Sequence, residues 1–173
     1  MKHALFALTL LLTLNAQAVS LSLNDVLADL PALDDSLPTP KEVAGVDVGE
    51  RHWYHYEIVA YLDALADASP RMTALGEHAR TYGGRPLVSY AISTPENIAR
   101  LDEIRAARAA IIDPAAKVTL ADQPAVLHMM YSIHGNEPSG ANSTPLVAYY
   151  LNAAQDEALL DQLEDVVIIF NPM

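Results

Sequence analysis

Two apolar runs, Ala125 to Ile133 and Val166 to Phe170, constrain this chain more than anything else in it. Neither alternates polar with apolar residues; both are nearly continuous, the pattern of strands covered on both faces. Between them, residues 138–154 read as a helix, with Pro145 marking either its start or a kink, and Asp156 to Leu163 as a short acidic helix. Strand, helix, strand in that order implies a parallel crossover, expected right-handed. The fold class is therefore α/β, a mixed, partly parallel sheet flanked by helices. A parallel sheet needs further strands, yet the sequence stops at Asn171-Pro172-Met173, directly after its second buried run. We expect the N-terminal portion of a longer, truncated domain. A small complete domain would leave a long apolar sheet edge exposed.

Upstream, Tyr54, Ile58, Tyr61, Leu62 and Leu65 recur at the spacing of an amphipathic helix, which Ser69-Pro70 ends. Met72 to Arg80 and Leu87 to Ile92 read as two strands, with Gly83-Gly84 supplying the positive φ angles of a hairpin turn. Thr94-Pro95-Glu96 is a helix start (hydroxyl cap, proline, acid), and one helix is predicted from there to about Ile111. Residues 19–50, interrupted by Pro31, Pro38 and Pro40, hold no sustained period and read as a lead-in arm. Residues 51–173 form the partial domain.

The first segment reads as an address. Met1-Lys2-His3 is basic, Ala4 to Leu14 is apolar except for Thr9 and Thr13, and Ala16-Gln17-Ala18 is a small-x-small cleavage site. This predicts a signal peptide over residues 1–18 and an exported product, periplasmic or secreted. The apolar run is too short for the roughly 20 residues that span a bilayer, so no stable membrane insertion is expected once the signal is cleaved. A net charge of −12 gives no electrostatic footprint for nucleic acid. With 51% hydrophobic residues in 173 there is material for one real core rather than a disordered chain. Cysteine is absent, which excludes disulfides, a thiol nucleophile and cysteine-based metal sites. A metal site must then use His, Asp and Glu.

The chemistry concentrates in Tyr131-Ser132-Ile133-His134-Gly135-Asn136-Glu137-Pro138. A strand delivers His134 at its carboxyl end, the edge at which open α/β sheets bind ligands. His134 and Glu137 are three apart, and Gly135 lets the chain turn between them. Imidazole and carboxylate both suit Zn²⁺. On the residues alone, a metal site and a structurally satisfied histidine are both open. His52 and His55, three apart and read as sharing a helix face, His78 in the hairpin and His128 are better read as surface or packing residues. His128 lies six residues before His134 in the same predicted strand, about 20 Å away at strand rise. Ser139 and Ser143 lack a paired base, so neither reads as a nucleophile.

His134-Gly135-Asn136-Glu137, after an apolar strand and before a helix, resembles the first zinc-ligand motif of the zinc metallocarboxypeptidases, the carboxypeptidase A/B-like family. Tyr56 to Leu65 resembles the helix that opens that domain. Gly84-Arg85-Pro86-Leu87 resembles a segment of its first hairpin, and Val166 to Pro172 the strand leading towards its Asn-Pro-Asp-Gly segment. The resemblance covers roughly residues 51–173. It implies one Zn²⁺ ion, with His134 and Glu137 as metal ligands and a peptide or protein as substrate. It also implies a later His, a later Glu as general base and carboxylate-binding residues, none with a counterpart before Met173. The implied function of the full-length protein is carboxypeptidase hydrolysis, the 173 residues alone being inactive. The alternatives are a related zinc amidase or deacylase, since aspartoacylase-like enzymes have a similar His-Gly-Asn-Glu loop, or an inactive peptide-binding fragment.

Overall fold

The computed structural model describes residues 23–26, 29–117, 119, 121 and 123–173; the signal peptide assigned to residues 1–18 lies outside them. The elements run in the order α1 (Leu23–Val26), α2 (Pro40–Ala44), α3 (His55–Ala68), β1 (Met72–Arg80), β2 (Pro86–Ile92), α4 (Pro95–Ala99), α5 (Leu101–Ala110), β3 (Ala125–Met130), α6 (Pro138–Ala153), α7 (Glu157–Glu164) and β4 (Val166–Asn171). Four strands form one mixed sheet in the order β1-β2-β4-β3. β1 pairs antiparallel with β2, β2 antiparallel with β4, and β3 parallel with β4.

Strand alternation sorts the core into two layers. Tyr90 and Ile92 of β2 and Ile168 and Phe170 of β4 pack with Ile58, Tyr61, Leu62 and Leu65 of α3 and with Ala148, Tyr149 and Ala153 of α6. The intervening Ala91 and Val167 pack on the opposite face against Ile104 of α5. The predicted stripe of α3 is buried from Ile58 onward, but Tyr54 is not part of it. Tyr54 sits at the N-cap with extended backbone (φ −76°, ψ 155°), out of helical phase, and stacks on Tyr56 instead.

The hairpin turn is longer than the glycine pair suggests. Thr81 N donates to Arg85 O and Gly84 N to Thr81 O, both at 2.9 Å, and only Gly84 has positive φ (78°). That is the three-residue hairpin loop, a turn closed by one left-handed residue. The helix predicted over 94–111 is broken at Arg100 (φ −115°, ψ 22°) into α4 and α5. Buried Asn97 donates to Glu164 O (2.8 Å) and to Ser93 Oγ (3.0 Å), which pins α4 to the end of α7. The break frees α5 to bring Ile104 onto the sheet.

α6 runs through Pro145. A proline there removes the amide that would bond Ala141 O, and the Thr144 hydroxyl donates to that carbonyl instead (2.6 Å). Asp156 caps α7, its carboxylate accepting from Ala158 N at 3.0 Å. Within the arm read over 19–50, Thr39 and Glu42 form a capping box at α2, and Leu37, Val46 and Val48 join Trp53 in the main core. Among the described residues no helix is long and apolar enough to cross a membrane.

The 125–133 run differs most from expectation. It was expected to be covered on both faces; instead β3 ends at Met130, with Val126, Leu127, Met130 and Ile133 exposed. The sheet order explains this, because among the described residues β3 is an edge strand with β4 alone beside it.

Candidate functional site

The site begins where β3 leaves the sheet. Tyr131 N donates to Asn171 O (3.1 Å), the last rung shared with β4, and the Tyr131 ring tilts against Phe170 at 5.1 Å between centroids. Burial there pushes the Tyr131 phenol above its ordinary pKa. Ser132 then turns the chain with φ 50°, the only positive φ at a non-glycine residue among the described residues. His134 thus stands in a loop after the strand, not on the strand itself as the apolar run suggested.

That loop is closed by backbone bonds. Glu137 N donates to His134 O (3.0 Å), and α6 starts at Pro138, a position suited to a residue without an N–H. Asn142, one turn into α6, donates through Nδ2 to Pro138 O (2.9 Å) and accepts from Trp53 N through Oδ1 (2.7 Å). The helix carrying the end of the loop is thereby tied to the segment that precedes α3. Nothing in the spacing of the sequence marks Asn142 or Ser132 for these tasks; the tertiary contact across 89 residues defines the first and an unusual backbone angle the second.

The turn brings the predicted pair together. His134 Nδ1 lies 3.1 Å from Glu137 Oε2, with the side chains 70% and 58% exposed, so both are accessible from solvent. The donor set fits zinc: a neutral imidazole and a carboxylate, each bonding at about 2.0–2.2 Å, lie roughly 3.3–3.5 Å apart when they share a tetrahedral ion. His134 and Glu137 could therefore hold one cation with little movement. Among the described residues no group of three or more His, Cys, Asp and Glu side chains is gathered to hold a metal.

The other histidines have different surroundings. His55 Nε2 meets Pro86 O at 2.8 Å, His78 Nδ1 meets Ser89 Oγ at 2.9 Å, and His128 Nε2 meets Asn171 Oδ1 at 3.2 Å. His52 precedes α3, which starts at His55, so the two do not share a helix face as the spacing suggested. His52 instead lines an apolar groove of about 550 Å³ with Val48, Leu146 and Tyr150. The Ser143 hydroxyl is turned back onto Gly140 O (2.8 Å).

A cleft of about 1020 Å³ opens beside the loop, lined by Tyr131, Ser132 and Gly135 on one side and by Tyr56, Arg85 and Pro86 on the other. The loop thus sits at the carboxyl end of a sheet strand, against a cavity large enough for several residues of a peptide.

No curated protein and no solved structure matches the chain. A family model does, described as zinc carboxypeptidase, over residues 58–173. The match starts inside α3 and takes in the hairpin, the parallel crossover and the loop of His134 and Glu137. Covering about two thirds of the sequence, on a mixed α/β sheet compatible with that fold, it shows that the chain belongs to the zinc carboxypeptidase family, whose members are zinc-using peptidases.

Proposed function

We propose that the full-length protein is an exported, zinc-dependent metallocarboxypeptidase that releases C-terminal residues from peptides. In this reading His134 and Glu137 are two of three protein ligands to a single zinc ion. One observation carries it: within the matched family segment, His134 Nδ1 and Glu137 Oε2 stand 3.1 Å apart in the loop whose Ser132, Ile133 and Gly135 line the large cleft.

Zinc bound between them would supply a polarising charge for a scissile carbonyl and a water of lowered pKa. The chain's own residues do the positioning. The His134–Glu137 turn aims both donors outward, Asn142 anchors the helix that carries the turn, and the cleft beside it takes the peptide. A catalytic zinc normally has three protein ligands, so the third ligand and the general base are assigned to residues beyond Met173. The 173 residues alone are accordingly read as inactive, and two ligands from one loop as a weak zinc site.

The test is His134→Ala in the full-length protein, assayed for zinc content and for release of C-terminal residues. Loss of both is expected; retained peptidase activity overturns the assignment. Running the same protein on murein peptides separates a carboxypeptidase from the alternative zinc amidase, because an amidase would cut those and leave ordinary peptide C-termini intact.

A further inference from the structure

We infer that Ser132 is a positioning residue for the two metal ligands: its hydroxyl holds the main chain of His134 and Glu137 so that their side chains converge. The inference rests on the metal reading given above. Ser132 Oγ lies 2.8 Å from Glu137 O and 3.3 Å from His134 O, so both of its acceptors are carbonyls of the ligand residues themselves. A hydroxyl carries one proton. The shorter bond, to Glu137 O, is therefore the main one, and His134 O is the secondary acceptor. His134 O also receives Glu137 N at 3.0 Å. The hydroxyl and that amide together close the turn from opposite ends.

Ser132 is itself held in place. One residue earlier, Tyr131 N is fixed to Asn171 O on β4. From the other side, α6 presses close at Gly140, where an added Cβ would come within 3.2 Å of Ser132 N. Its φ of 50° is left-handed backbone, which a serine adopts at some cost and which persists only where the surroundings over-determine it. A residue in that conformation, clamped by the sheet and by α6, gives the hydroxyl a fixed origin. The sheet's position is thereby transmitted to the ligands through one side chain. Partners of this kind behind a metal ligand typically change metal affinity by about 10–100-fold when removed.

Ser132→Ala removes the hydroxyl and keeps the backbone demand; Ser132→Gly removes the hydroxyl and relieves that demand. Both are made in the full-length protein beside His134→Ala. Zn²⁺ affinity is measured by chelator competition, the Co²⁺ visible spectrum reports ligand geometry, and the urea midpoint reports folding. Both Ser132 variants should lose roughly 10-fold or more in Zn²⁺ affinity and shift the Co²⁺ bands, with the urea midpoint close to that of the parent. Unchanged affinity in Ser132→Ala, with binding abolished in His134→Ala, overturns the positioning role and leaves the metal reading standing. Affinity lost in Ser132→Ala but kept in Ser132→Gly also overturns it, since backbone strain rather than the hydroxyl would then set the loop. Unchanged affinity in His134→Ala removes the metal reading, and this inference with it.

Discussion

β4 has two different neighbours. On one side β2 pairs antiparallel with it, and Tyr90, Ala91 and Ile92 are fully buried between helices on both faces. On the other side β3 pairs parallel with it, yet Val126, Leu127 and Met130 remain exposed and the chain leaves into the His134–Glu137 loop. The same ladder joins a packed interior to an open margin. The interior fixes where β3 ends, and through Tyr131 and Asn171 it fixes where the loop begins. In the reading proposed above, stability and chemistry fall on opposite sides of one strand. Loops carried at the rim of a rigid scaffold are the common place for binding groups.

The largest effect that tests this contrast is a cavity in the packed half. Phe170 is fully buried and touches both the sheet and the Tyr131 ring. Phe170→Ala should destabilise the protein by about 3–5 kcal/mol, read from urea unfolding. Val126→Ala on β3 should cost less than about 1 kcal/mol, because that side chain is already 44% exposed. Equal costs at the two positions would break the comparison.

A smaller effect probes how α6 is bound to the interior. Asn152 is buried; its Oδ1 accepts from Ser69 Oγ (2.7 Å) and its Nδ2 donates to Ala148 O (2.8 Å). Asn152→Ala leaves the Ser69 hydroxyl without that acceptor in an apolar setting. A loss of about 1–3 kcal/mol is expected from the same unfolding measurement.

The interior also sets the alkaline limit. Burial raises the Tyr90 phenol above its ordinary value of 10.0, assisted by its bond to Asp63 Oδ1 at 2.8 Å, and burial raises Tyr61 likewise. A folded-state pKa above the unfolded one means the native state binds the proton more tightly. The associated stability is complete below about pH 10 and falls as pH rises beyond it. The urea midpoint should therefore drop steadily above pH 10, and Tyr90→Phe should make that slope shallower. An unchanged slope in Tyr90→Phe would place the alkaline transition elsewhere.

Sequence periodicity reached the packed half well and the margin poorly, for physical reasons. Ile58, Tyr61, Leu62 and Leu65 bury their stripe because a helix on a sheet needs one apolar face. Val166 to Phe170 reads correctly because it is covered on both faces. The 125–133 run is also mostly apolar but lies at the edge of the described sheet, and no local pattern tells an interior strand from an edge strand. The break at Arg100 was equally hidden, since it is enforced by Asn97 reaching carbonyls of a helix far along the chain. The His134–Glu137 pair was legible because both groups belong to one short turn. Ser132 and Asn142 were not, because their roles depend on one left-handed residue and on a contact between segments 89 residues apart.

The smallest predicted effect is also the sharpest test of the division between stability and chemistry. His134 and Glu137 are mostly exposed, and their side chains meet each other at 3.1 Å. Solvent-exposed pairs of this kind gain little, because water screens the charges and two side chains must be held in one geometry. His134→Ala and Glu137→Ala should each leave the unfolding free energy within about 0.5 kcal/mol of the parent, measured without added metal. With Zn²⁺ present, the parent alone should gain stability, because a ligand that binds only the folded state shifts the unfolding equilibrium by mass action. A cost well above 1 kcal/mol without metal would make the pair a latch that holds the loop. The open margin would then contribute to folding as the interior does, and the separation across β4 would fail at the site itself.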